Sequence, residues 1–319
     1  MKRKNLIVVC LMTLTTSLYP CQVLAQSVFG YNGITYRIVK DANEASNYGT
    51  VAVTAKSDGF YEGTITIPNA VKQSDDEYAD AYKVVAIDDY AFKGSPTLKK
   101  VVLPITIESI GTGAFEECGE LTTVEIPYGS LLTHLGESVF ASSGLKSIKF
   151  PEGITELPRF AFKECRKLDQ VILPESLVKI GISVFIYCQS LKTIELPKGL
   201  REIDICAFAY CGLKSISLPN RVVSIPMSAF VGCIDLEEVA LSPYTTTIKP
   251  GAFGQCYHLK KINKPETLIN VDNSSFVGCI YLPDCYMSDY DKEMLNKQGD
   301  KYREKIEEDY QEFKKRMWR

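Results

Sequence analysis

The feature of this sequence that most constrains its fold is a phenylalanine that returns at a nearly fixed interval. Neighbouring members of the series are 22 to 25 residues apart. The nine members are Phe92, Phe115, Phe140, Phe162, Phe185, Phe208, Phe230, Phe253 and Phe276. A period of this length indicates a repeat architecture, because one unit is too small to bury its own apolar side chains and must stack on the next.

Other residues keep the same interval. A cysteine follows seven of the phenylalanines by three positions, and Ser95 or Ser143 takes that place in the other two units. Downstream, a segment such as 191–197 alternates apolar and polar side chains, which is the period of a half-buried β-strand. Proline ends this segment in nearly every unit, since a residue without an N–H group cannot extend a strand ladder. We expect about nine units of 22 to 25 residues, built mainly from short β-strands and stacked into a solenoid.

The repeated unit reads L-x-x-I-x-L-P-x-x-L-x-x-I-x-x-x-A-F-x-x-C. This pattern resembles the leucine-rich repeats of the BspA-like, or treponemal-type, class of bacterial surface proteins, and the resemblance covers residues 84–283. It implies a leucine-rich repeat solenoid and a role in adhesion rather than a reaction, because members of this class look like secreted or surface proteins that bind host matrix proteins or other cells. Repeats of one shape serve many ligands, so the resemblance does not identify the ligand.

The first 25 residues have the pattern of a secretory signal peptide. Basic residues at 2–4 precede a mostly apolar run, and residues 23–25 place small side chains where a signal peptidase cuts. We expect cleavage after Ala25 and a secreted or cell-surface protein. The alternatives are a retained anchor, although a bilayer span needs about 20 apolar residues, and a lipid on Cys21, although bulky residues precede it. No later stretch is long and apolar enough to span a membrane.

Residues 26–83, before the repeats, lack the phenylalanine series. They contain three stretches of alternating side chains, at 33–38, 50–54 and 63–68, separated by polar turns. We expect a small N-terminal β cap, because the first turn of a solenoid would otherwise expose its apolar edge. The acidic turn at 74–77 lacks the ligand spacing and the glycine of a calcium loop, so we assign no metal there.

Residues 284–319 have the pattern of an amphipathic helix. Apolar side chains recur there at spacings of mostly four, among many charged residues. Ser288 followed by Asp291 predicts the start of the helix, and Gly299 predicts a weak point or break. Two interpretations remain open: the apolar stripe covers the last repeat as a C-terminal cap, or it binds a partner or a second copy.

Nine cysteines remain once the signal peptide is removed, an odd number for an exported chain. The repeat interval places seven of them in one column that points into the core: Cys118, Cys165, Cys188, Cys211, Cys233, Cys256 and Cys279. A buried thiol behaves as a small apolar residue. Parallel side chains on stacked turns are also poorly oriented for the torsion angle that a disulfide bond needs. We therefore expect free thiols. There is no C-x-x-C pair to hold zinc, and we assign no metal and no cofactor.

The sequence gives no indication of catalysis or of nucleic-acid binding. Lys plus Arg is 36 and Asp plus Glu is 39, and removing three basic residues with the signal leaves 33 against 39, or about −6. The two histidines, His134 and His258, occupy routine repeat positions, no carboxylate pair recurs at one site, and no phosphate-binding glycine loop is present. We expect a protein that is not an enzyme; the alternatives are a glycan-processing or other enzyme and a structural spacer.

The candidate binding surface is the outward face of the first strand ladder. In five of eight units the residue after the leading leucine is lysine, and these are Lys99, Lys146, Lys192, Lys214 and Lys260. Such a strip suits an acidic protein segment or an anionic glycan, with host matrix proteins among the candidates. The alternative is a solvated face whose lysines keep the exposed strands from pairing with other chains. The sequence leaves the ligand and the oligomeric state open.

Overall fold

The computed structural model of the chain describes residues 28–41, 48–74, 81–283 and 286–317. Within these residues the chain forms an N-terminal β cap, a solenoid of stacked turns and two C-terminal helices. Three features of the sequence lie outside the described residues, namely the predicted signal peptide at 1–25, most of the acidic turn at 74–77 and the cysteine at position 285.

Six strands precede the first complete turn. They are β1 (Val28–Tyr31), β2 (Ile34–Lys40), β3 (Gly49–Thr54), β4 (Gly63–Thr66), β5 (Ala70–Lys72) and β6 (Ala81–Ile87). β1 and β2 form a two-residue hairpin in which Asn32 and Gly33 both have a positive φ, as a type I′ turn requires. β2 pairs antiparallel with β3, whereas β3 pairs in parallel with β6. The three alternating stretches expected before the repeats are confirmed as β2, β3 and β4.

The following turns contribute short strands to two parallel ladders. The strands are β7 (Leu98–Val102), β8 (Ser109–Ile110), β9 (Thr123–Glu125), β10 (His134–Leu135), β11 (Ser147–Lys149), β12 (Glu156–Leu157), β13 (Gln170–Ile172), β14 (Lys179–Ile180), β15 (Glu202–Ile203), β16 (Ser215–Ser217), β17 (Ser224–Ile225), β18 (Glu238–Ala240), β19 (Thr247–Ile248), β20 (Lys261–Ile262) and β21 (Asn270–Val271). The first ladder runs from β4 through β7, β9 and β11 to β13, and resumes with β16, β18 and β20. The second ladder runs from β6 through β8 to β10 and resumes twice, as β12, β14 and β15 and as β17, β19 and β21. Equivalent residues pair across neighbouring turns, as Ile148 does with Val171, which confirms the leucine-rich repeat solenoid.

The phenylalanine series forms one stacked column in the core. All nine rings are at most 1% exposed. Neighbouring ring centroids are 5.0 to 5.5 Å apart, and the ring planes are within 16° of parallel. Tyr61 packs against Phe92 at 4.5 Å and Tyr286 against Phe276 at 5.2 Å. Two tyrosines thus close the ends of a continuous apolar column, which is the main source of cohesion between turns.

The seven column cysteines join each turn to the one before it. The Sγ atom of each lies 2.8 to 3.2 Å from the carbonyl oxygen of the phenylalanine one turn earlier, as Cys211 does with Phe185. The expected column of inward-pointing cysteines is therefore confirmed. The eight described cysteines are free thiols. Cys206, outside the column, has a positive φ of 56°, at a position that Ser183 and Gly113 fill in other turns.

Variation in the repeat interval has a local structural cause. The two intervals of 22 residues that begin at Phe140 and Phe208 have one residue fewer between the column position and the next leucine. Gly144 and Gly212 stand at these tight bends. A Cβ atom there would lie 2.1 Å from the Gly119 carbonyl oxygen or 2.0 Å from that of Gln189, so only glycine fits.

The longest interval, 25 residues, follows Phe115. Its two extra residues lengthen the loop after Pro127. The insertion leaves Tyr128 99% exposed and Leu131 57% exposed, beside Ile105 of the previous turn, whose carbonyl oxygen accepts the Leu131 N–H at 3.2 Å. Insertions in a solenoid thus extend outward as loops while the core column keeps its spacing.

The C-terminal segment forms two helices, α1 (Asp289–Gln298) and α2 (Asp300–Met317), which meet at Gly299. The expected start and break are confirmed. The apolar stripe of α2 is buried in a cluster that contains Tyr302, Ile306 and Tyr310 from the helix and Ile234, Tyr257 and Ile280 from the solenoid. Farther along α2, Phe313 stacks on Tyr210 at 5.7 Å. The helix therefore runs back along the flank of the last turns and does not cover the end of the phenylalanine column.

Asp291 anchors the helices to the last turn. Its carboxylate is fully buried and accepts hydrogen bonds from the Gly278 N–H at 3.0 Å, the Tyr302 hydroxyl at 2.6 Å and the Ser288 hydroxyl. Ser288 in turn caps α1 by accepting the Asp291 N–H. Burial, together with the Asp291 carboxylate, raises the pKa of Tyr302, so its phenol stays protonated and keeps donating.

We expect Asp291→Ala to loosen the helices from the solenoid. The change leaves three donors without their acceptor, which costs about 1–3 kcal/mol for each group that stays buried. Trypsin should then cleave α2 at least tenfold faster than in the parent protein. Glu293→Ala is the matched control, because Glu293 is exposed on the same helix. Equal cleavage rates for the two variants would contradict the anchoring role.

Candidate ligand-binding face

Backbone hydrogen bonds between neighbouring turns place the five candidate lysines in one column at the edge of the first ladder. The Asp169 N–H donates to the Lys146 carbonyl at 2.9 Å, and the Lys214 N–H donates to the Lys192 carbonyl at 3.0 Å. Four of the five side chains are exposed, and Lys192 is half-buried. Thr122, Asp169 and Glu237 stand between lysines in this column, so Lys192 and Lys214 are the two that lie on adjacent turns.

Lys192 differs from the other lysines of the column in its contacts. Its Nζ lies 3.1 Å from the Gln189 carbonyl oxygen and 3.7 Å from the Asp235 carboxylate. Partial burial lowers the pKa of the Lys192 ammonium, while Asp235 opposes that shift. The charge of Lys192 is thus shared with a carboxylate two turns farther along the solenoid, whereas Lys99, Lys146, Lys214 and Lys260 project into solvent.

Beside the lysine column, the outward side chains of the first ladder are neutral and polar at its centre. This central row consists of Thr123, Ser147, Gln170, Thr193 and Ser215. Charged residues flank the row at both ends, and they form ion pairs with each other across the turns. Lys100 contacts Glu125 at 2.6 Å at one end, and Lys261 contacts Glu238 at 2.7 Å at the other. The ends of the face are therefore electrostatically satisfied.

A shallow groove of about 1170 Å³ crosses three turns at the middle of this face, and we call it the central groove. Its floor contains Ile172, Leu173 and Leu196, and its charged margins contain Asp169, Glu175, Glu195, Lys198 and Arg221. Ile172 is 43% exposed, although it belongs to a strand of the ladder. A second crevice of about 10 Å³, where Phe313 meets Tyr210, is large enough for one water at most.

The loops that follow the proline of each repeat form one margin of the face. Within them the Glu152 carboxylate accepts the backbone N–H groups of Glu175 at 3.1 Å and Ser176 at 3.0 Å. These two hydrogen bonds lower the pKa of the Glu152 carboxyl. The loops of adjacent turns are thereby linked, so the margin beside the central groove is held in a fixed arrangement.

The two histidines lie in different places and do not form a site together. His134 is exposed in β10 of the second ladder, with its Nδ1 2.7 Å from the Thr133 hydroxyl. His258 packs against Tyr310 of α2 with 4.3 Å between ring centroids. Among the described residues, no cluster of three or more histidine, cysteine or acidic side chains could hold a metal ion. The described helices include none that is long and apolar enough to cross a membrane.

Sequence reasoning missed the central groove. Its signal was present in the column that contains Glu125, Lys149, Ile172, Glu195 and Ser217, where one large aliphatic side chain stands among polar ones. That column is chemically mixed, and the contribution of Ile172 becomes evident only when Leu173 and Leu196 are seen beside it.

Comparisons with known proteins agree with this architecture. A family model described as a BspA type leucine rich repeat region matches residues 85–212 and 155–283, in six copies. A leucine rich cell surface protein from Faecalibacterium prausnitzii A2-165 is 22% identical, with 80% of this chain and 87% of that chain covered and a TM-score of 0.54. This similarity shows the fold.

Two further solved structures are similar to this chain. The leucine rich repeat protein of T. pallidum is 25% identical, with 83% and 93% of the two chains covered and a TM-score of 0.40. A leucine-rich repeat protein from Bacteroides ovatus ATCC 8483 is 21% identical, with 79% and 92% covered and a TM-score of 0.41. A search of curated proteins found no match.

Proposed function

Since the chain belongs to the family of BspA-type leucine-rich repeat proteins, we propose that it is a non-catalytic, exported protein that binds a protein or glycan ligand in adhesion or another contact at a cell surface. The observation that carries the proposal is the first ladder, whose outward side chains stand in fixed columns over many turns. Export rests on the pattern of residues 1–25, which predicts cleavage after Ala25.

The first ladder is well suited to binding because it is rigid and elongated. The phenylalanine column and the thiol hydrogen bonds fix the position of each turn relative to the next, so little conformational freedom is lost when a ligand is bound. Lys99, Lys146, Lys214 and Lys260 give its edge a basic character on a chain that is acidic overall. This arrangement favours the approach of an acidic ligand.

The exposure of the carboxylates in the central groove argues against glycoside hydrolysis, the enzyme alternative. Asp169, Glu175 and Glu195 line the groove, and all three side chains are exposed to solvent. The general acid of a glycosidase instead lies in a pocket that shields it from water. With the two histidines also separated, binding is the activity that the geometry supports best.

We expect the triple change Lys146→Glu, Lys214→Glu and Lys260→Glu to weaken ligand binding about tenfold at low salt, through lost electrostatic attraction. Lys192 is left unchanged because its ammonium contacts Asp235. The assay measures binding of the mature protein to a panel of purified extracellular-matrix proteins and to a glycan array, at low and at high ionic strength.

The matched control changes three exposed lysines elsewhere, Lys40→Glu, Lys249→Glu and Lys305→Glu, and alters the net charge equally. A ligand of the lysine column should distinguish the two triple variants. If both variants lose binding alike, net charge rather than the column is responsible. If the parent protein binds neither the matrix proteins nor the glycan array, the chain is a structural spacer and the proposed function is wrong.

A further inference from the structure

We propose that the central groove binds an extended polypeptide segment in which an aliphatic side chain lies between a basic and an acidic one. This inference rests on the proposed function, since it names the class of ligand that the binding face takes. It is carried by three observations: an apolar floor, charges of opposite sign on the two outer turns that do not pair with each other, and a position at the interruption of the first ladder.

The floor of the central groove offers an apolar contact where the rest of the face is polar. Ile172 is 43% exposed, and the half-buried side chains of Leu173 and Leu196 line the groove beside it. The corresponding positions on neighbouring turns, Lys149 and Glu195, are charged. An aliphatic side chain of a ligand would remove this apolar surface from water, which stabilises the bound state.

The two outer turns of the central groove carry charges of opposite sign. Asp169 and Glu175 belong to the first of its three turns and Arg221 to the third, while the middle turn carries one charge of each sign, Glu195 and Lys198. All five side chains are exposed. None of them is in an ion pair with another described residue, in contrast to Lys100–Glu125 and Lys261–Glu238 at the ends of the face. Opposite charges that do not satisfy each other remain available to a ligand that carries both signs.

The middle turn of the groove also lacks the hydrogen bonds that join other turns. The first ladder stops at β13 and resumes at β16. Where the ladder is intact, the Phe150 N–H donates to the Ile172 carbonyl at 3.1 Å and the Leu218 N–H to the Ala240 carbonyl at 2.8 Å. The backbone groups of residues 193–196 make no hydrogen bond to the described residues. The central groove thus lies at the interruption of the first ladder.

These features favour a polypeptide over an anionic glycan. A sulfated or carboxylated glycan carries charge of one sign, so Asp169 and Glu175 would repel it while Arg221 attracts it. The lining of the groove contains no aromatic ring on which a sugar could stack. A polypeptide supplies a lysine or arginine for the acidic side, an aspartate or glutamate for the basic side and an aliphatic residue between them. In an extended segment residues i, i+2 and i+4 point to the same side, so the three contacting side chains alternate with residues that face solvent.

The test selects peptides from a phage-displayed library of random 12-residue sequences on the mature protein and measures the enriched peptides as synthetic ligands by fluorescence anisotropy. We expect enriched sequences with an aliphatic residue between opposite charges. Ile172→Asp should weaken their binding at least tenfold. Val178→Asp is the matched control, because Val178 is a similarly exposed aliphatic residue, 38% against 43%, of the same turn outside the groove. Equal losses in the two variants would overturn the proposal.

A charge exchange tests the polarity of the groove. Arg221→Glu should weaken the same peptides about tenfold, and a peptide whose acidic residue is replaced by lysine should recover binding to Arg221→Glu but not to the parent protein. Absence of this recovery would contradict the assigned direction of the charges and overturn the proposal.

A glycan array probed with the same variants separates this proposal from the proposed function. If no peptide is enriched but a glycan binds and is lost with Ile172→Asp or with the triple lysine variant, the polypeptide assignment is wrong and the binding function stands. If neither peptides nor glycans bind the first ladder, both are wrong. Enriched peptides that lose binding to Ile172→Asp and show the recovery expected in the charge exchange support both the polypeptide assignment and the binding function.

Discussion

The free energy of unfolding is expected to fall steeply as the pH rises above about 9, because burial raises the pKa of the column thiols from an ordinary value of 9.0. The pKa of Cys118 is raised to about 11 and that of Cys165 to about 12. Burial also raises the pKa of Cys188, Cys233 and Cys256 well above the ordinary value. In each case the thiolate would be a buried charge that can no longer donate to a phenylalanine carbonyl.

The direction of the effect follows from where protons are bound. Below pH 9 these thiols are protonated in both the folded and the unfolded chain, so their contribution to stability is complete and constant. Between pH 9 and the raised pKa values the unfolded chain releases protons that the folded chain retains, and rising pH therefore favours unfolding. Each thiol removes about 1 kcal/mol per pH unit, so five thiols remove several kcal/mol, a large part of a typical stability of about 5–15 kcal/mol.

Urea unfolding at pH 7, 9 and 10, with a reductant present, measures this decline. Cys188→Ser is the matched control, because serine already occupies the equivalent position at Ser143 and its hydroxyl does not titrate in this range. The slope of stability against pH should be shallower in Cys188→Ser by about one proton. A parent protein that keeps its stability to pH 11, or a Cys188→Ser variant with an unchanged slope, would contradict the role assigned to the buried thiols.

The repeat interval was enough to predict the core. Each turn repeats one pattern of burial, so residues separated by one period must occupy equivalent places once the turns stack, and Phe115, Phe162 and Phe208 are fully buried in a single column. The Ser288 cap and the break at Gly299 were predictable for a different reason, because both depend on local backbone chemistry. Periodicity and local rules therefore account for the scaffold.

The candidate site depends on side chains from different turns, and periodicity does not determine how these combine. Lys192 occupies its predicted column, yet its side chain reaches Asp235 two turns away. The central groove arises where Ile172 and Leu196 meet on adjacent turns, at an interruption of the ladder that no residue pattern marks. The partner of the amphipathic α2 stripe was likewise open, because the flank that it covers is assembled from three separate turns.

Phe185→Ala is expected to lower the free energy of unfolding by about 3–5 kcal/mol, the usual range for truncating a buried aromatic ring. Phe185 lies in the middle of the column, 5.4 Å from Phe162 and 5.2 Å from Phe208 between ring centroids, and is fully buried. The change leaves a cavity between two turns and removes two stacking contacts together. Urea unfolding followed by circular dichroism measures the loss. Tyr128→Ala, at a residue 99% exposed, should change stability by less than about 0.5 kcal/mol.

A comparison of substitutions at the centre and at the end of the phenylalanine column tests whether neighbouring turns unfold cooperatively. In a linear array each turn is stabilised by its neighbours, so a gap at the centre also weakens the coupling between the two halves. Phe185→Ala should therefore broaden or split the unfolding transition, whereas Phe276→Ala, next to the tyrosine that closes the column, should lower stability without splitting it. Equal effects of the two variants would mean that the stacked rings act as independent contacts, because only nearest-neighbour coupling makes the position of a gap matter.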